Sequence, residues 1–311
     1  MGRQIAPRIL VLGEFNVDVV AVGMQRIPVM GTEVITEDCR LTLGSASAIF
    51  AVGMARLGSR VTFVSQVGAD IFGDFCLQAL KRDRIATAHV QRKSTQKTGV
   101  TISLSCARDR ALITFPGAIA SFTVSEFDQS LIRRHDHMHL TSYYLQKGLQ
   151  PAFPALFKTA KASGLTTSFD PNSDPDASWS NGIKKVLRHT DVLFLNHAEA
   201  TEVTGFKDSG DALNVLGELV PCAVIKLGRN GAVAIQNGQV ARHAGFKIDA
   251  VDTTGAGDSF AAGFVSAYIR GSALDKCLEH GNACGALSAR QVGGTTGQPT
   301  QKQLQEFLES K

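Results

Sequence analysis

The residues best suited to chemistry in this sequence lie together in one short segment. Asp258 directly follows three small residues, Gly255-Ala256-Gly257, called the glycine loop below. From Asp258 onward, apolar residues recur at helical spacing, which predicts a helix that begins where the glycine loop ends. Backbone N–H groups in that first turn can approach an anion closely, and the helix dipole adds partial positive charge there. The segment therefore predicts an anion site with a carboxylate beside it.

Asp258 is the candidate catalytic base of this segment. The helix dipole should favour its ionised form, which can accept a proton from an attacking hydroxyl. Phosphoryl transfer needs little more than this, because its loose transition state is stabilised mainly by well-placed charges. The alternative interpretation is that Asp258 only caps the helix and that the glycines only form a turn.

The segment from Asp252 to Asp258 resembles the second signature of the ribokinase-like carbohydrate kinases, the PfkB family. Other motifs follow in the family's order from residue 9 to about residue 294, which is nearly the whole chain. The resemblance implies that the glycine loop forms the anion hole and that Asp258 is the base. It also implies a monovalent cation such as potassium behind the anion hole, with Asp252 and Thr254 as ligands.

Two segments resemble the family's substrate-binding motifs. Asn16 and Asp18 follow the first predicted strand, where the family places a substrate-binding Asn and Asp, although a polar turn that enters a hairpin would look the same. Gly44 and Ser45 begin a segment similar to the first signature, which implies that they line the substrate site. Ser45 replaces the second glycine of that signature, and Ile49 replaces an asparagine that commonly contacts a sugar hydroxyl. We therefore expect a less polar pocket than in ribokinases.

Asn196 and Glu199 resemble the family's NxxE motif at the end of a strand. The resemblance implies that Asn196 lies at the nucleotide phosphates and that Glu199 holds magnesium, through water. A plain polar turn at the strand end is the alternative interpretation.

A second group of residues is expected to contact ATP. Lys226, Gly228 and Gly231 lie in a segment similar to the family's glycine turn beside the nucleotide, and Lys226 could reach a phosphate as a point charge. These glycines could equally close a hairpin. Asn282 occupies the helix position at which ribokinases approach the adenine, although the polarity of a helix surface would also explain it.

The segment Asp170-Pro171-Asn172 resembles the DPNxR motif of the family's sugar kinases, but Asp174 stands where the arginine is expected. An arginine there would suit an anionic ligand, so its loss argues against a sugar phosphate as substrate. His137 and His139 share one face of a predicted strand. We interpret them as part of a plain strand rather than as metal ligands, because no other ligand spacing accompanies them.

The elements that must position these residues alternate along the chain. Short apolar runs separated by helix-period segments predict parallel strands with helices on both faces. These runs are 9–13, 61–67, 137–141, 166–170, 191–196 and 222–228. Residues 14–45 and 97–118 show two-residue alternation without a helix and predict a small β-sheet lid. The fold class is therefore α/β, a doubly wound, mainly parallel sheet (ribokinase-like) formed by residues 1–13, 46–96 and 119–311, with the lid attached.

Composition narrows the class of protein. The chain has 311 residues, of which 44% are hydrophobic and 19% charged, with a net charge of +4 spread over short groups. This predicts a globular protein without a nucleic-acid partner. The first apolar stretch is too short for a signal peptide or a membrane span, so we expect a cytoplasmic location and no membrane partner. Six dispersed cysteines without a CxxC pair predict neither structural zinc nor a disulfide framework.

Together these features predict an ATP- and magnesium-dependent kinase that phosphorylates a hydroxyl of a sugar or sugar-like molecule, with a possible homodimer formed through the lid. The first strand leads into a segment without GxGxxG, which disfavours a dinucleotide dehydrogenase. A nucleoside kinase of the same superfamily is the nearer alternative. Its base pocket would be lined by Ile49 and by aromatic residues, namely Phe15, Phe50, Phe115, Tyr143 and Tyr144. A non-catalytic sugar-sensing protein is the more distant alternative. The acceptor itself is not predicted.

Overall fold

The computed structural model of the chain describes residues 6–106, 110–174 and 182–311. The helices in these ranges are α1 Ala46–Arg56, α2 Ile71–Arg82, α3 Phe153–Ala162, α4 Ile183–Leu187, α5 His197–Thr204, α6 Ser209–Leu219, α7 Ala256–Tyr268, α8 Leu274–Ser288 and α9 Gln301–Glu309. The strands are β1 Arg8–Leu12, β2 Asn16–Met24, β3 Asp38–Leu43, β4 Arg60–Gly68, β5 Ala86–Lys93, β6 Gly99–Cys106, β7 Arg110–Phe115, β8 His137–Thr141, β9 Thr166–Asp170, β10 Val192–Asn196, β11 Cys222–Lys226, β12 Ala232–Gln236 and β13 Gln239–His243. Short 3₁₀ turns are Gly117–Ser121, Val124–Glu126, Gln129–Arg134, Gln150–Ala152 and Gly228–Asn230.

The larger sheet has nine strands in the order β13-β12-β11-β10-β9-β8-β1-β4-β5. Its strands pair in parallel from β11 to β5, and β12 and β13 continue the sheet in antiparallel pairing. From β1 the chain proceeds to β4 and β5 on one side and to β8 and its successors on the other. The order therefore reverses between β1 and β8, which is where open α/β sheets bind ligands.

Helices cover both faces of this sheet. Along β1, Ile9 and Val11 face one apolar cluster and Leu10 and Leu12 face the other, because successive strand residues point to opposite faces. The first cluster contains buried residues of α1, α2, α7 and α8, and the second those of α3, α4, α5 and α6. The doubly wound α/β class predicted from the sequence is confirmed.

A second, four-stranded sheet has the order β3-β2-β6-β7. Its strands lie within the two ranges that the sequence assigns to the lid, and two antiparallel pairs join through a parallel β2–β6 pairing. Whether this small sheet moves as a lid stays a prediction. Asn16 and Asp18 share one of its faces because they are two residues apart on β2.

Three strands of the large sheet lie outside the six predicted runs. One, β12, is the second arm of the hairpin that the alternative interpretation of Gly228 and Gly231 allows, and the other two are β5 and β13. Both lie at its edges and carry half-exposed, mixed polar sequences without an apolar run. The predicted strand 222–228 ends earlier, at Lys226, because Gly228 has a φ of +59° and the Leu227 N–H donates to the Gly231 carbonyl across a tight turn. Among the helices in the described ranges, none is long and apolar enough to cross a membrane.

Candidate active site

The glycine loop leads into α7 at the carboxyl edge of the large sheet. Gly255 is the residue before the helix and has a φ of +69°, a left-handed conformation that glycine adopts without steric cost. The helix begins at Ala256, two residues before the predicted start. The helix therefore includes Ala256 and Gly257 of the glycine loop, and Asp258 is the third residue of α7. The predicted anion site is therefore the first turn of α7, which includes Ala256 and Gly257 of the loop.

A second loop, which contains Gly293 and Gly294, packs against the glycine loop. A β-carbon at Gly255 would lie 2.7 Å from the Gly294 Cα, so the two backbones touch. Asp252 holds them in place, because its Oδ1 accepts from the Thr254 N–H at 2.9 Å and its Oδ2 from the Gly293 N–H at 2.9 Å. The predicted cation ligands Asp252 and Thr254 therefore lie together, at the junction of these loops.

The environment of Asp258 differs from the sequence-based expectation. The crowded cleft removes water from this partly exposed carboxylate and raises its pKa to about 7, and the negative charge of Asp170 adds to the shift. Lys226 opposes the shift, while Glu14 and Glu199 reinforce it. Desolvation therefore opposes the effect of the helix dipole, which the sequence analysis expects to favour the ionised form of Asp258.

Lys226 lies beside the glycine loop. A β-carbon at Gly257 would be 3.3 Å from the Lys226 Nζ, and the same ammonium forms an ion pair with Asp170, whose side chain is 1% exposed. Burial opposes the lysine charge, but neighbouring carboxylates, above all Asp170 and Glu199, outweigh it and raise the pKa of the ammonium. A permanent positive charge is thus fixed next to the predicted anion site.

Asn196 and Glu199 form a reciprocal cap at the start of α5. The Asn196 side chain accepts from the Glu199 N–H at 2.9 Å, and the Glu199 Oε2 accepts from the Asn196 N–H at 2.7 Å. The Ser173 hydroxyl donates to the other Glu199 oxygen at 3.2 Å. Burial raises the pKa of Glu199, and Asp170 raises it further. A structural role therefore accounts for this motif locally, and its role toward metal stays a prediction.

Asn16 and Asp18 form the polar face of the small sheet. The Asn16 amide donates to Asp18 Oδ1 at 3.0 Å and to the Thr101 hydroxyl at 3.3 Å. A β-carbon at Gly44 would overlap Asp18 and lie 2.6 Å from the Asn16 Nδ2. Gly44 is thus the residue that permits these two side chains to lie against the start of α1.

Ser45 has a positive φ, a backbone conformation that normally favours glycine. Its φ is +75°, yet its hydroxyl accepts from the Ala48 N–H at 3.1 Å and donates to the Glu14 carbonyl. Ile49, one turn later, packs against both glycine-containing loops, since its Cδ1 lies 3.0 Å from a β-carbon position at Gly255. An apolar side chain therefore stands beside the anion site.

Structural roles account for three predicted nucleotide-binding residues. Gly228 and Gly231 form the turn between β11 and β12, and a β-carbon on Gly231 would overlap the His243 carbonyl. Asn282 is buried, not on the surface of α8, and donates to the Leu278 carbonyl at 2.8 Å. The contacts of these residues with a nucleotide stay predictions.

The aromatic pocket proposed for a nucleoside base is not formed. Phe15 and Phe50 are fully buried, Phe50 stacking on His139, and Tyr143 and Tyr144 lie in the core. The register of β6 and β7 places Phe115 on the face of the small sheet opposite Asp18. Among the described residues, no group of three or more His, Cys, Asp or Glu side chains could hold a metal ion.

Glu14 was not singled out from the sequence, although it is buried and connected by hydrogen bonds to residues of the candidate site. It directly follows the predicted run 9–13, two residues beyond the end of β1, and is 3% exposed. It accepts hydrogen bonds from Ser47, Thr141 and Ser142. A carboxylate immediately after a buried strand was the available signal. Its donors lie 33 to 128 residues away in the chain, so they could not be identified from spacing.

Comparison with known proteins gives a consistent result. The model of the pfkB family carbohydrate kinases matches residues 6–301. A 2-dehydro-3-deoxygluconokinase of Bacillus subtilis is 31% identical over 288 residues, which cover 86% of this chain and 87% of that protein.

Solved structures resemble the chain over nearly its whole length. An E. coli protein assigned as ribokinase II, in complex with ATP and magnesium, has a TM-score of 0.86 at 21% identity and covers 99% of this chain and 100% of its own. Arabidopsis thaliana ribokinase, complexed with ribose and ATP, has a TM-score of 0.84 at 22% identity, with 98% and 99% covered. At these identities, the likeness shows the fold.

Proposed function

The chain belongs to the pfkB family of carbohydrate kinases, and we propose that it transfers the γ-phosphoryl group of ATP to a hydroxyl of a sugar or sugar-like molecule, with Asp258 as general base. One observation carries this proposal. A carboxylate whose pKa is raised to about 7 lies in the first turn of α7, beside a bare glycine loop and the Lys226 ammonium. A proton acceptor and an anion site thereby meet at one point.

In the proposed reaction, Asp258 accepts the proton of the acceptor hydroxyl as its oxygen bonds to the γ-phosphorus. The bond from that phosphorus to the bridging oxygen of ADP breaks, and Asp258 later releases its proton to solvent. The N–H groups of the glycine loop and the Lys226 ammonium stabilise negative charge on the transferring group. A pKa near the working pH suits a general base, because the base is then both available and strong enough.

The acceptor is proposed to bind between the small sheet and the start of α1. Asp18 can accept hydrogen bonds from acceptor hydroxyls, and Asn16 holds the Asp18 carboxylate in place. Gly44 and Ser45 form the adjoining backbone, where no larger side chain fits at Gly44. The apolar Ile49 replaces one polar contact.

ATP is proposed to lie over the carboxyl ends of β10 and β11, near Asn196, Lys226, Gly228 and Gly231, with its adenine toward Asn282. Solved relatives of the same fold contain ATP, and one contains magnesium as well. The bare loop, the lysine and the open carboxyl edge of the sheet suit the phosphates of such a ligand.

The donor set also fits magnesium. This hard cation prefers oxygen ligands and usually retains several waters, binding through one or two carboxylates together with phosphates. The buried Glu199 offers such a carboxylate, and burial together with the negative charge of the nearby Asp170 raises its pKa, so a bound cation would offset this repulsion. When bound, magnesium neutralises phosphate charge.

Potassium is proposed to bind beside Asp252 and Thr254. Each Asp252 oxygen accepts one backbone hydrogen bond and keeps a lone pair for a cation. Such a cation would hold the two loops together behind the anion site.

A homodimer through the small sheet and a cytoplasmic location complete the proposal. The outer face of the small sheet exposes Leu41, Ile102 and Ile113, which suits contact with a second copy of the chain.

Acceptor-dependent release of ADP tests the function. The purified protein is assayed with ATP and D-ribose, D-fructose, 2-dehydro-3-deoxygluconate or adenosine, each with magnesium, after chelation, and in potassium or sodium. We expect magnesium-dependent turnover of a sugar, stimulation by potassium, and a loss of about 10²-fold to 10⁴-fold in Asp258→Asn. Turnover of adenosine alone would favour the nucleoside alternative. Near-parental turnover by the folded variant would contradict Asp258 as base.

A further inference from the structure

Glu14 is a buried carboxylate held without a cation. Its Oε1 accepts from the Ser47 N–H at 3.0 Å and the Ser142 hydroxyl at 2.9 Å, and its Oε2 from the Ser47 hydroxyl at 2.7 Å and the Thr141 hydroxyl at 3.0 Å. Among the described cationic side chains, none forms an ion pair with it. A buried charge without a counterion costs stability. Stability alone therefore does not explain this residue.

The hydrogen bonds of Glu14 continue to the proposed reaction centre. The Ser142 hydroxyl accepts from the Asn172 amide at 2.8 Å, and the Asn172 N–H donates to Asp170 Oδ1 at 3.3 Å. Asp170 in turn forms the ion pair with Lys226. A continuous path thus joins Glu14 to the ammonium beside the glycine loop.

Strained backbone surrounds the same carboxylate. Ser142 has a φ of +50° and Asn172 a φ of +53°, and Ser45, with a φ of +75°, bonds to the Glu14 carbonyl. These are three of the five non-glycine residues with positive φ in the described ranges. Such conformations persist only where neighbouring contacts hold them, and they cluster at functional sites.

We propose that Glu14 is a positioning residue of the kinase site. Its carboxylate fixes Ser142 and, through it, Asn172 and Asp170, so that Lys226 stays aligned with the glycine loop. This rests on the function proposed above. The negative charge of Glu14 also acts on Asp258, which in addition faces Asp170, Lys226 and Glu199 and whose pKa Glu14 helps to raise.

The variant Glu14→Gln keeps the side-chain length but removes the charge and half of the acceptor capacity. We expect kcat/KM for the best sugar of the acceptor panel to fall about 10²-fold, the usual effect of misplacing a catalytic group. We also expect the acid limb of its pH profile to move to lower pH, because Asp258 loses a negative neighbour. Glu14→Asp, which retains the charge, should leave that limb closer to the parent's.

Asp191 provides a matched control, because it lies just before β10, at the amino end of the strand and away from the carboxyl edge. It is also buried, accepts from the Thr167 N–H at 2.8 Å and pairs with Lys161. Among the described residues, its side-chain hydrogen bonds lead to Thr167 and Lys161 and not to the glycine loop. Asp191→Asn should lower thermal stability without moving the pH profile or the KM for the sugar. A Glu14→Gln variant that behaves in the same way would overturn the proposal.

Ser142→Gly decides the matter if Glu14→Gln does not fold. Glycine adopts a positive φ without strain, and the substitution removes the small side chain whose hydroxyl joins Glu14 to Asn172. We expect kcat/KM to fall at least 10-fold with the acid limb unchanged, since the Glu14 charge remains. Parental kinetics would overturn the proposal. If the parent protein is inactive with every acceptor, both the proposed function and this inference are overturned. If the parent is active and the variants are unaffected, only this inference is overturned.

Discussion

At the scale of single residues, two effects compete at Asp258. The dipole of α7 favours the ionised carboxylate by about 0.3 to 1 kcal/mol. Burial can shift a carboxyl pKa by up to about 3 to 5 units, each worth about 1.4 kcal/mol. Burial therefore wins, and the pKa of Asp258 is raised to about 7. Sequence spacing singled out this residue but could not predict the shift of its pKa, because desolvation depends on groups from distant segments.

This raised pKa predicts that Asp258 lowers stability at neutral pH. The group is raised from 3.8 to about 7 in the folded protein. Its contribution is thus most favourable below pH 3.8 and is lost as the pH rises through about 7. Asp258→Asn should be more stable than the parent at pH 8, by about 1 to 3 kcal/mol after discounting for partial exposure. Urea unfolding at pH 8 and pH 4 measures the difference.

The same difference should nearly vanish at pH 4, where the parent carboxyl is neutral in the folded state. Asp74→Asn, on the exposed surface of α2, serves as the control and should show no such pH-dependent gain. Equal stability of Asp258→Asn and parent at pH 8 would mean that the carboxylate is well solvated.

Ser45 shows how a side chain can compensate for backbone strain. Its left-handed conformation normally favours glycine, and the sequence suggested only that a family glycine was lost. The structure adds two hydrogen bonds, to the Ala48 N–H and the Glu14 carbonyl, which offset that strain. The departure from the motif therefore preserves the turn.

At the scale of elements, the glycine loop depends on close backbone contact. Gly255→Ala places a β-carbon 2.7 Å from the Gly294 Cα and also imposes positive-φ strain. Gly271 has a similar φ of +77° but nothing within 4 Å, so Gly271→Ala isolates the strain, about 1 to 2 kcal/mol. We expect Gly255→Ala to lose about 10²-fold or more in kcat, and Gly271→Ala to keep near-parental kcat with reduced stability. Steady-state kinetics and thermal melts provide the measurement.

Comparable kcat values in these two variants would show that the contact between the loops does not shape the anion site. A larger loss of stability in Gly255→Ala than in Gly271→Ala is expected in either case, because only the former displaces a neighbouring backbone.

The sequence predicted buried elements better than edges and pairings. Central strands such as β8 and β9 matched their apolar runs residue for residue, because both faces are covered. The edge strand β5 carries no such run and was missed. Positions at strand ends, such as Lys226, were predicted from motif order. Its ion pair with Asp170 joins residues 56 positions apart, and only the folded sheet brings them together.

At the scale of the whole molecule, the proposed site lies between the large sheet and the polar face of the small sheet. Asp18 belongs to the small sheet, whereas Lys226 ends β11 of the large sheet and Asp258 lies on α7. A bound acceptor would therefore contact both parts, and closure between them would exclude water from the transferring phosphoryl group.

The opposite face of the small sheet leads to a prediction about assembly. Strand pairing aligns Leu41, Val19, Ile102 and Ile113 in one row across all four strands. Leu41 is 41% exposed, Ile102 39% and Ile113 58%. A continuous apolar row on a four-stranded sheet with two open edges is typical of a protein interface. If a second copy covers this row, the small sheet is held in place by its partner.

Ile113→Asp should therefore convert a homodimer into a monomer, since a buried unpaired carboxylate opposes association by several kcal/mol. Val240→Asp is the matched control, because Val240 is 59% exposed on the edge strand β13 of the large sheet, away from the row. Sedimentation velocity at several protein concentrations should give dimers for the parent and Val240→Asp and monomers for Ile113→Asp. A monomeric parent, or a dimer that survives Ile113→Asp, would exclude this face as the interface.

If Ile113→Asp does dissociate the dimer, sugar turnover should be measured on the monomer. A parallel loss of turnover would show that the partner stabilises the acceptor side of the proposed site, since Asp18 lies on the other face of the same sheet.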